Sequence, residues 1–227
     1  MDEPRASSLR WAWAARQREA DRERVAVGGW CAPTRGIFGL LESSGAEGLR
    51  ALETYMRAQT GDALAFAQAH QSLMARSAWG HALVAGWDEE AQLLSVAQVG
   101  DAHWVWVRAG EVLTWRWGRI PVDDYYEAPP VEYTGGTMVA TRDRRERATW
   151  LGILDGLPHP APWPHVSAME ARAGDALVLL TRRSGELLHG QPERLLEALE
   201  APGEAACWRL LELGGARGMQ GAMVLWL

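Results

Sequence analysis

Asp101 is the carboxylate in this sequence that stands best for chemistry. It sits in SVAQVGDAHWVWV, residues 95–107, on a Gly-Asp corner between two apolar strands. Two readings are open for it: a turn residue whose carboxylate satisfies local backbone donors, or a remaining member of a metal site, where hard cations want carboxylate oxygens. Glu23, Glu42, Asp155 and Asp175 are the other acids to weigh. Asp155 in LDGLP and Asp175 in GDALV read as turn residues, and Glu42 lies next to a helix cap. The six histidines lack HExxH or paired spacing, so they read as ordinary core or surface residues. Cys31 and Cys207 are far apart, without CxxC spacing, and read as buried free thiols. The sequence contains no Walker loop, dinucleotide fingerprint or GxSxG elbow.

The elements that must position Asp101 follow from periodicity. VAVGGW (25–30) and GIFGLL (36–41) read as buried strands after a charged lead, WAWAARQREADRER. Ser44 and Glu47 have capping-box spacing, and Leu49, Leu52 and Met56 then recur on one helical face. A second helix is expected over 62–76. HALVAGW, AQLLSVAQV, AHWVWVR and EVLTWRW form a meander, and an Ala109-Gly110 turn would set Trp104 opposite Trp115. IPVDDYYEAPPVEYTGG and LPHPAPWPH are Pro-rich connections, with a helix expected in RDRRERATWLGIL between them. DALVLLT reads as a strand, PERLLEALE and EAACWRLLEL as helices, and GAMVLWL as a final strand. This order predicts an α+β fold, a four-layer α-β-β-α sandwich of two antiparallel sheets with helices outside, as a single domain over residues 1–227.

The bulk properties narrow the function classes. With 48% hydrophobic and 23% charged residues the chain folds, and its formal charge of −6 disfavours nucleic acid and anionic membranes as partners. No signal-peptide pattern or spanning apolar run is present in the sequence, so a cytoplasmic location is expected. Thirteen Trp against two Phe and four Tyr supply aromatic bulk, most simply for the core, and where exposed for a partner.

Taken in order, four segments resemble the metal-dependent serine/threonine protein phosphatases of the type 2C (PPM) family. GHALVAGWDEEAQLLSVAQVGDAHWVWVRAGEVLTW is similar to that family's central run ending in a valine-glycine-aspartate corner. ARAGDALVLLTRRSGELL is similar to its late glycine-aspartate segment, GGARGMQGAMVLWL to its terminal strand, and GIFGLLESSGAEGLRAL to its first aspartate-glycine motif and following helix. The resemblance implies two metal ions, held by carboxylates, that activate a water for attack on a phosphoester. It also implies where that machinery is broken. Arg18 stands at the family's arginine, Arg22 at the first acid of an acidic pair and Glu23 at the second. Leu40-Leu41 fall on the aspartate-glycine pair, Arg182 on a late aspartate, and Met219-Gln220 on the final aspartate-asparagine pair. A degenerate pocket of Arg18, Arg22, Glu23, Asp101 and Arg182 results, without a metal cofactor, in which Asp101 pairs with Arg182 or Arg22.

Three functions are therefore carried forward. The leading one is an inactive pseudophosphatase acting as a regulatory or scaffold domain for another protein, such as a kinase or signalling component in bacterial signalling. The second is a reader of phosphate or phosphoprotein through the three arginines. The third is a divergent active phosphatase with two manganese or magnesium ions.

Overall fold

The computed structural model describes residues 9–16, 25–59, 68, 72–73, 80–116, 119–121, 148–150, 164–213 and 220–227. Strand β1 (Arg10–Arg16) is followed by β2 (Ala26–Ala32), β3 (Ile37–Ser43), helix α1 (Gly45–Gln59), and the meander β4 (Gly80–Asp88), β5 (Leu93–Val99), β6 (His103–Arg108) and β7 (Glu111–Arg116). Two short strands, β8 (Arg119–Pro121) and β9 (Ala148–Trp150), pair with each other. Then come β10 (His165–Glu170), β11 (Ala176–Leu180), α2 (Arg182–Leu188), α3 (Pro192–Leu199), α4 (Glu204–Leu213) and β12 (Gln220–Trp226).

Two five-stranded antiparallel sheets result, ordered β1-β12-β11-β6-β7 and β10-β5-β4-β3-β2. Strand alternation fills three cores. Phe38, Leu40, Leu83, Val96, Trp104, Leu177, Leu179, Met223 and Leu225 pack between the sheets. Val105, Val178, Leu180, Ala222 and Val224 face the other way, against Leu188, Leu195, Leu210 and Leu211 of α2, α3 and α4. Leu41, Ala82, Val84 and Val99 meet Leu52 of α1 on the outside of the second sheet. The expected α+β sandwich with helices outside is the observed architecture.

Several local expectations change. The Ala109-Gly110 turn forms, with φ of 49° and 77°, and by itself would pair Trp104 with Trp115. A bulge after Trp106 instead sets Trp104 opposite Arg116 and Val105 opposite Trp115. One extra residue in a strand of period two moves every later side chain to the other face. Trp104 and Trp106 thus stay between the sheets, while Trp115 lies under the helices. RRSGELL forms a helix not anticipated from its sequence, and RWAWAAR and HVSAME form edge strands. Of RDRRERATWLGIL, the described residues 148–150 are a strand rather than a helix, paired with 119–121. The expected 62–76 helix lies outside the described residues except for residues 68 and 72–73, which are helical.

Asp175 closes one end of the first sheet. Its carboxylate accepts from Arg108 Nε at 2.8 Å and Nη2 at 2.7 Å, from Trp106 Nε1 at 3.3 Å and from the Arg172 N–H at 2.9 Å. Burial pushes this carboxyl up, but the Arg108 hydrogen bonds and charge and the Arg172 N–H together hold it below the usual range. The turn role expected of Asp175 is met, with an ion pair added to it.

Indoles lie directly on glycines of the second sheet: Trp30 of the neighbouring strand over Gly39, and Trp13, reaching across from β1 of the first sheet, over Gly29. A methyl at either place would enter an aromatic ring. Gly39→Ala and Gly29→Ala are each expected to lower stability by about 1–3 kcal/mol through overpacking, measured as a reduced urea midpoint with an unchanged m value.

Candidate functional site

At the end of β11 opposite Asp175, the strands and helix α2 bring a set of charged and polar side chains together. Glu42 and His81 are cross-strand partners on β3 and β4, on the face that carries Leu40 and Leu83 toward the sandwich interior. Asp101 stands at the corner where the chain leaves β5 for β6, crossing from one sheet to the other. Arg182 opens α2, immediately after β11. Glu42 and Asp101 are each 8% exposed and His81 5%.

The corner is fixed by the side chains beneath it. Gly100 has φ of 85° and lies against the His81 ring, where a Cβ would collide with Nδ1. His81 Nδ1 accepts the Asp101 backbone N–H at 3.1 Å, and Gln98 Nε2 donates to the Gly100 carbonyl at 3.2 Å and to the Ala102 carbonyl. The Asp101 carboxylate is therefore aimed, and it meets Arg182: Nη1 is 3.5 Å from Oδ2. The same guanidinium donates through Nε to Glu186 Oε1 at 2.9 Å, one helical turn on. Two carboxylates thus hold Arg182 across the mouth of the sandwich.

Glu42 is the site residue that sequence reasoning set aside. Leu40 and Leu41 do not occupy a site at all: they point to opposite faces of β3 and are core on both. The strand they belong to runs on to Ser43, so the residue pair that ends it is Glu42-Ser43. The signal that could have found Glu42 is its parity with Leu40, which places an acid on the inward face two residues from the strand's core. The Glu42 carboxyl receives a hydrogen bond from the Arg182 backbone N–H, while its Oε2 has no hydrogen-bond partner among the described residues. Burial raises it to about 7; the Arg182 N–H and guanidinium pull it back, and Asp101 and Glu186 push it up again.

Of the predicted site residues, Asp101 and Arg182 are brought together, while Arg18, Arg22 and Glu23 lie outside the described residues. Gln220 is buried on the outer face of β12, the side of Ala222 and Val224, and so turns away from the cleft between the sheets. His81 and His103 are core histidines, as expected of them, each lowered to about 4: by burial and then the Arg182 charge for His81, and by burial, then His189, for His103. Cys31 and Cys207 form no disulfide with each other; Cys207 is buried, as expected, whereas Cys31 is half-buried.

Among the described residues the arrangement offers a divalent cation few ligands. Such an ion wants about six oxygen ligands, and no group of three or more His, Cys, Asp or Glu among the described residues could hold one. Glu42 and Asp101 offer oxygens, but the positive charge they share is already supplied by Arg182. What the cluster does chemically is set a half-exposed guanidinium at the surface end of two buried carboxylates.

The titrations of these groups oppose one another. Folded Glu42 keeps its proton to about pH 7 whereas the unfolded chain releases it near 4.5, so its contribution favours folding below 4.5 and is lost as pH rises through 7. His81 and His103 stay neutral to about 4 when folded and take up protons near 6.5 when unfolded; their contribution is present above 6.5 and lost as pH falls toward 4. Removing the Glu42 titration with Glu42→Gln is expected to steepen the rise of unfolding free energy between pH 5 and 6 by about 1.4 kcal/mol per pH unit. The variant also gains on the order of 2–3 kcal/mol relative to the parent between pH 5 and 8. Urea unfolding across that range measures both.

No family model matches this sequence, and no curated protein does either. Solved structures do. The catalytic domain of the serine/threonine protein phosphatase PstP, solved with two manganese ions, is 17% identical with a TM-score of 0.64 over 96% of this chain and 99% of its own. PppA, described as a key regulatory component of the type VI secretion system in Pseudomonas aeruginosa, is 16% identical with a TM-score of 0.67 over 97% and 98%. The PPM Ser/Thr phosphatase MsPP from Mycobacterium smegmatis is 19% identical with a TM-score of 0.66 over 98% and 100%. Together with the two antiparallel five-stranded sheets and their outer helices, this likeness over nearly the whole length shows that the chain has the fold of the PPM-type serine/threonine phosphatases.

Proposed function

We propose that this domain is a catalytically inactive PPM-fold protein, a pseudophosphatase that works by binding another protein in a signalling assembly. The observation that carries the reading is the Arg182 guanidinium set against Asp101 and Glu186 at the mouth of the sandwich. A guanidinium there supplies fixed positive charge but no Lewis acidity and no coordinated water, the two things a divalent ion contributes to phosphoester hydrolysis. PppA, with the same fold, is described as a regulatory component, which is in keeping with a regulatory use of this architecture.

The same geometry weighs against a phosphate reader. Arg182 is surrounded by Asp101, Glu186 and, within electrostatic reach, Glu42, and an incoming phosphate would have to displace these carboxylates against like charge. A divergent metalloenzyme needs further oxygen ligands beyond Glu42 and Asp101.

Two measurements test the reading. The purified chain with manganese or magnesium should release no phenolate from an aryl phosphate above background; turnover that Asp101→Asn abolishes would overturn it. Arg182→Asp removes the guanidinium and adds a carboxylate to those of Glu42, Asp101 and Glu186, so manganese should raise the melting temperature of this variant by several degrees while leaving the parent unmoved. A manganese-dependent shift of equal size in the parent would show that Arg182 does not stand in for a cation.

A further inference from the structure

A groove runs between strand β7 and helix α3, on the side of the first sheet away from the sandwich interior. Its volume is about 470 Å³, within the range of sites that take a small ligand or a few side chains. The bulge in the β6-β7 hairpin creates it. By turning Trp115 to the outer face, the extra residue lays an indole at the open margin of the outer core, beside Val112 and Leu196. The indole is fixed in place: its Nε1 donates to His103 Nδ1 at 3.4 Å, and its ring meets that of His189 edge-on, with centroids 5.4 Å apart.

The charge of this groove has one sign. Glu111, at the start of β7, and Glu193, in the first turn of α3, both line it, and neither lysine nor arginine is among its described lining residues. Both acids are exposed, so they are hydrated and available rather than spent on internal pairs. An aliphatic wall, an aromatic face and two carboxylates at the rim form the complement of one side chain in particular. Arginine has an apolar stem, a planar cation that stacks on indole, and a fork of donors for carboxylates.

We propose that the β7-α3 groove is a docking site for a partner protein, taking an exposed segment in which arginine is flanked by aliphatic residues. The inference rests on the reading of the domain as a protein-binding one and supplies the surface and the chemistry of the partner. The groove also lies beside α2, whose first residue is Arg182 and whose C-terminal cap is His189. A docked segment would therefore press on the same short helix that carries Arg182.

The test uses the full chain and a fluorescein-labelled peptide, Gly-Ser-Leu-Arg-Leu-Ser-Gly, in fluorescence polarisation, with copies carrying glutamate or citrulline in place of the arginine. The arginine peptide is expected to bind, and both copies to bind about tenfold or more weakly. The double variant Glu111→Lys, Glu193→Lys should lose about tenfold in affinity, while Glu89→Lys, Glu90→Lys, an equal charge change at the exposed β4-β5 turn, should stay within about twofold of the parent. Absence of binding by the arginine peptide would overturn the proposal. Equal binding by the groove variant, or an equal loss in the turn variant, would overturn it too, since the chain's net negative charge alone would then explain attraction. A circular dichroism spectrum matching the parent confirms that each variant is folded, and Trp115→Ala, which removes the aromatic face without changing charge, gives an independent loss. The two readings fail separately. Phosphatase turnover in a chain that still binds the peptide removes only the inactive reading, and an inactive chain indifferent to the peptide removes only this one.

Discussion

A buried carboxylate at the mouth of a β-sandwich needs a positive charge, and in this fold that charge is Arg182. Glu42 and Asp101 are both about nine-tenths buried, and the cost of withdrawing their charge from water is several kcal/mol each unless it is matched. The guanidinium matches Asp101 directly and Glu42 through space, and Glu42 makes up the remainder by holding a proton to about pH 7. Each group sets the state of the others. His81 stays neutral because it is buried and faces the same cation, and being neutral it accepts the backbone N–H that aims Asp101.

The scaffold places this cluster where chain crossings converge. β5 leaves one sheet through the Gly100-Asp101 corner to become β6 of the other, and β11 turns at Thr181 into α2. Thr181 is itself tied across to β12, donating its N–H to the Gly221 carbonyl at 3.0 Å and accepting the Gly221 N–H through Oγ1 at 2.9 Å. Gly185, one turn into α2, packs on the ring of His103, where no side chain would fit. Helix α2 is consequently held at both ends, by Arg182 in the charged cluster and by His189 against Trp115. One extra residue in β7 sets that second contact, since without the bulge Trp115 would face the other way.

Much of this was legible in the sequence, because strand and helix periods are local properties. The alternation in 80–108 gives the meander, the apolar recurrence through Leu49 and Leu52 gives α1, and the order of Gly-Asp segments points to the PPM-type architecture. Asp101 was expected to pair with Arg182 or Arg22 because the family resemblance sets both arginines at acid positions, and the structure places Arg182 beside it. Glu42 was not, since an acid after Leu40-Leu41 looks like the approach to a helix cap until the strand is seen to continue to Ser43. Nor was α2, whose sequence RRSGELL carries a central Gly and too few apolar residues to declare a face; it is helical because Leu188 and Gly185 pack on the sheet below.

By itself, then, the sequence determined the alternation that makes two sheets, the amphipathic faces that cover them, and the presence of arginine where a resemblance implies acid. The tertiary structure alone decided which acid completes the cluster, which face Trp115 takes, and what charge each buried group carries. The reason is physical: periodicity is encoded in consecutive residues, whereas register, burial and protonation depend on partners such as His81 for Glu42, or Val105 for Trp115, that only the folded chain brings within reach.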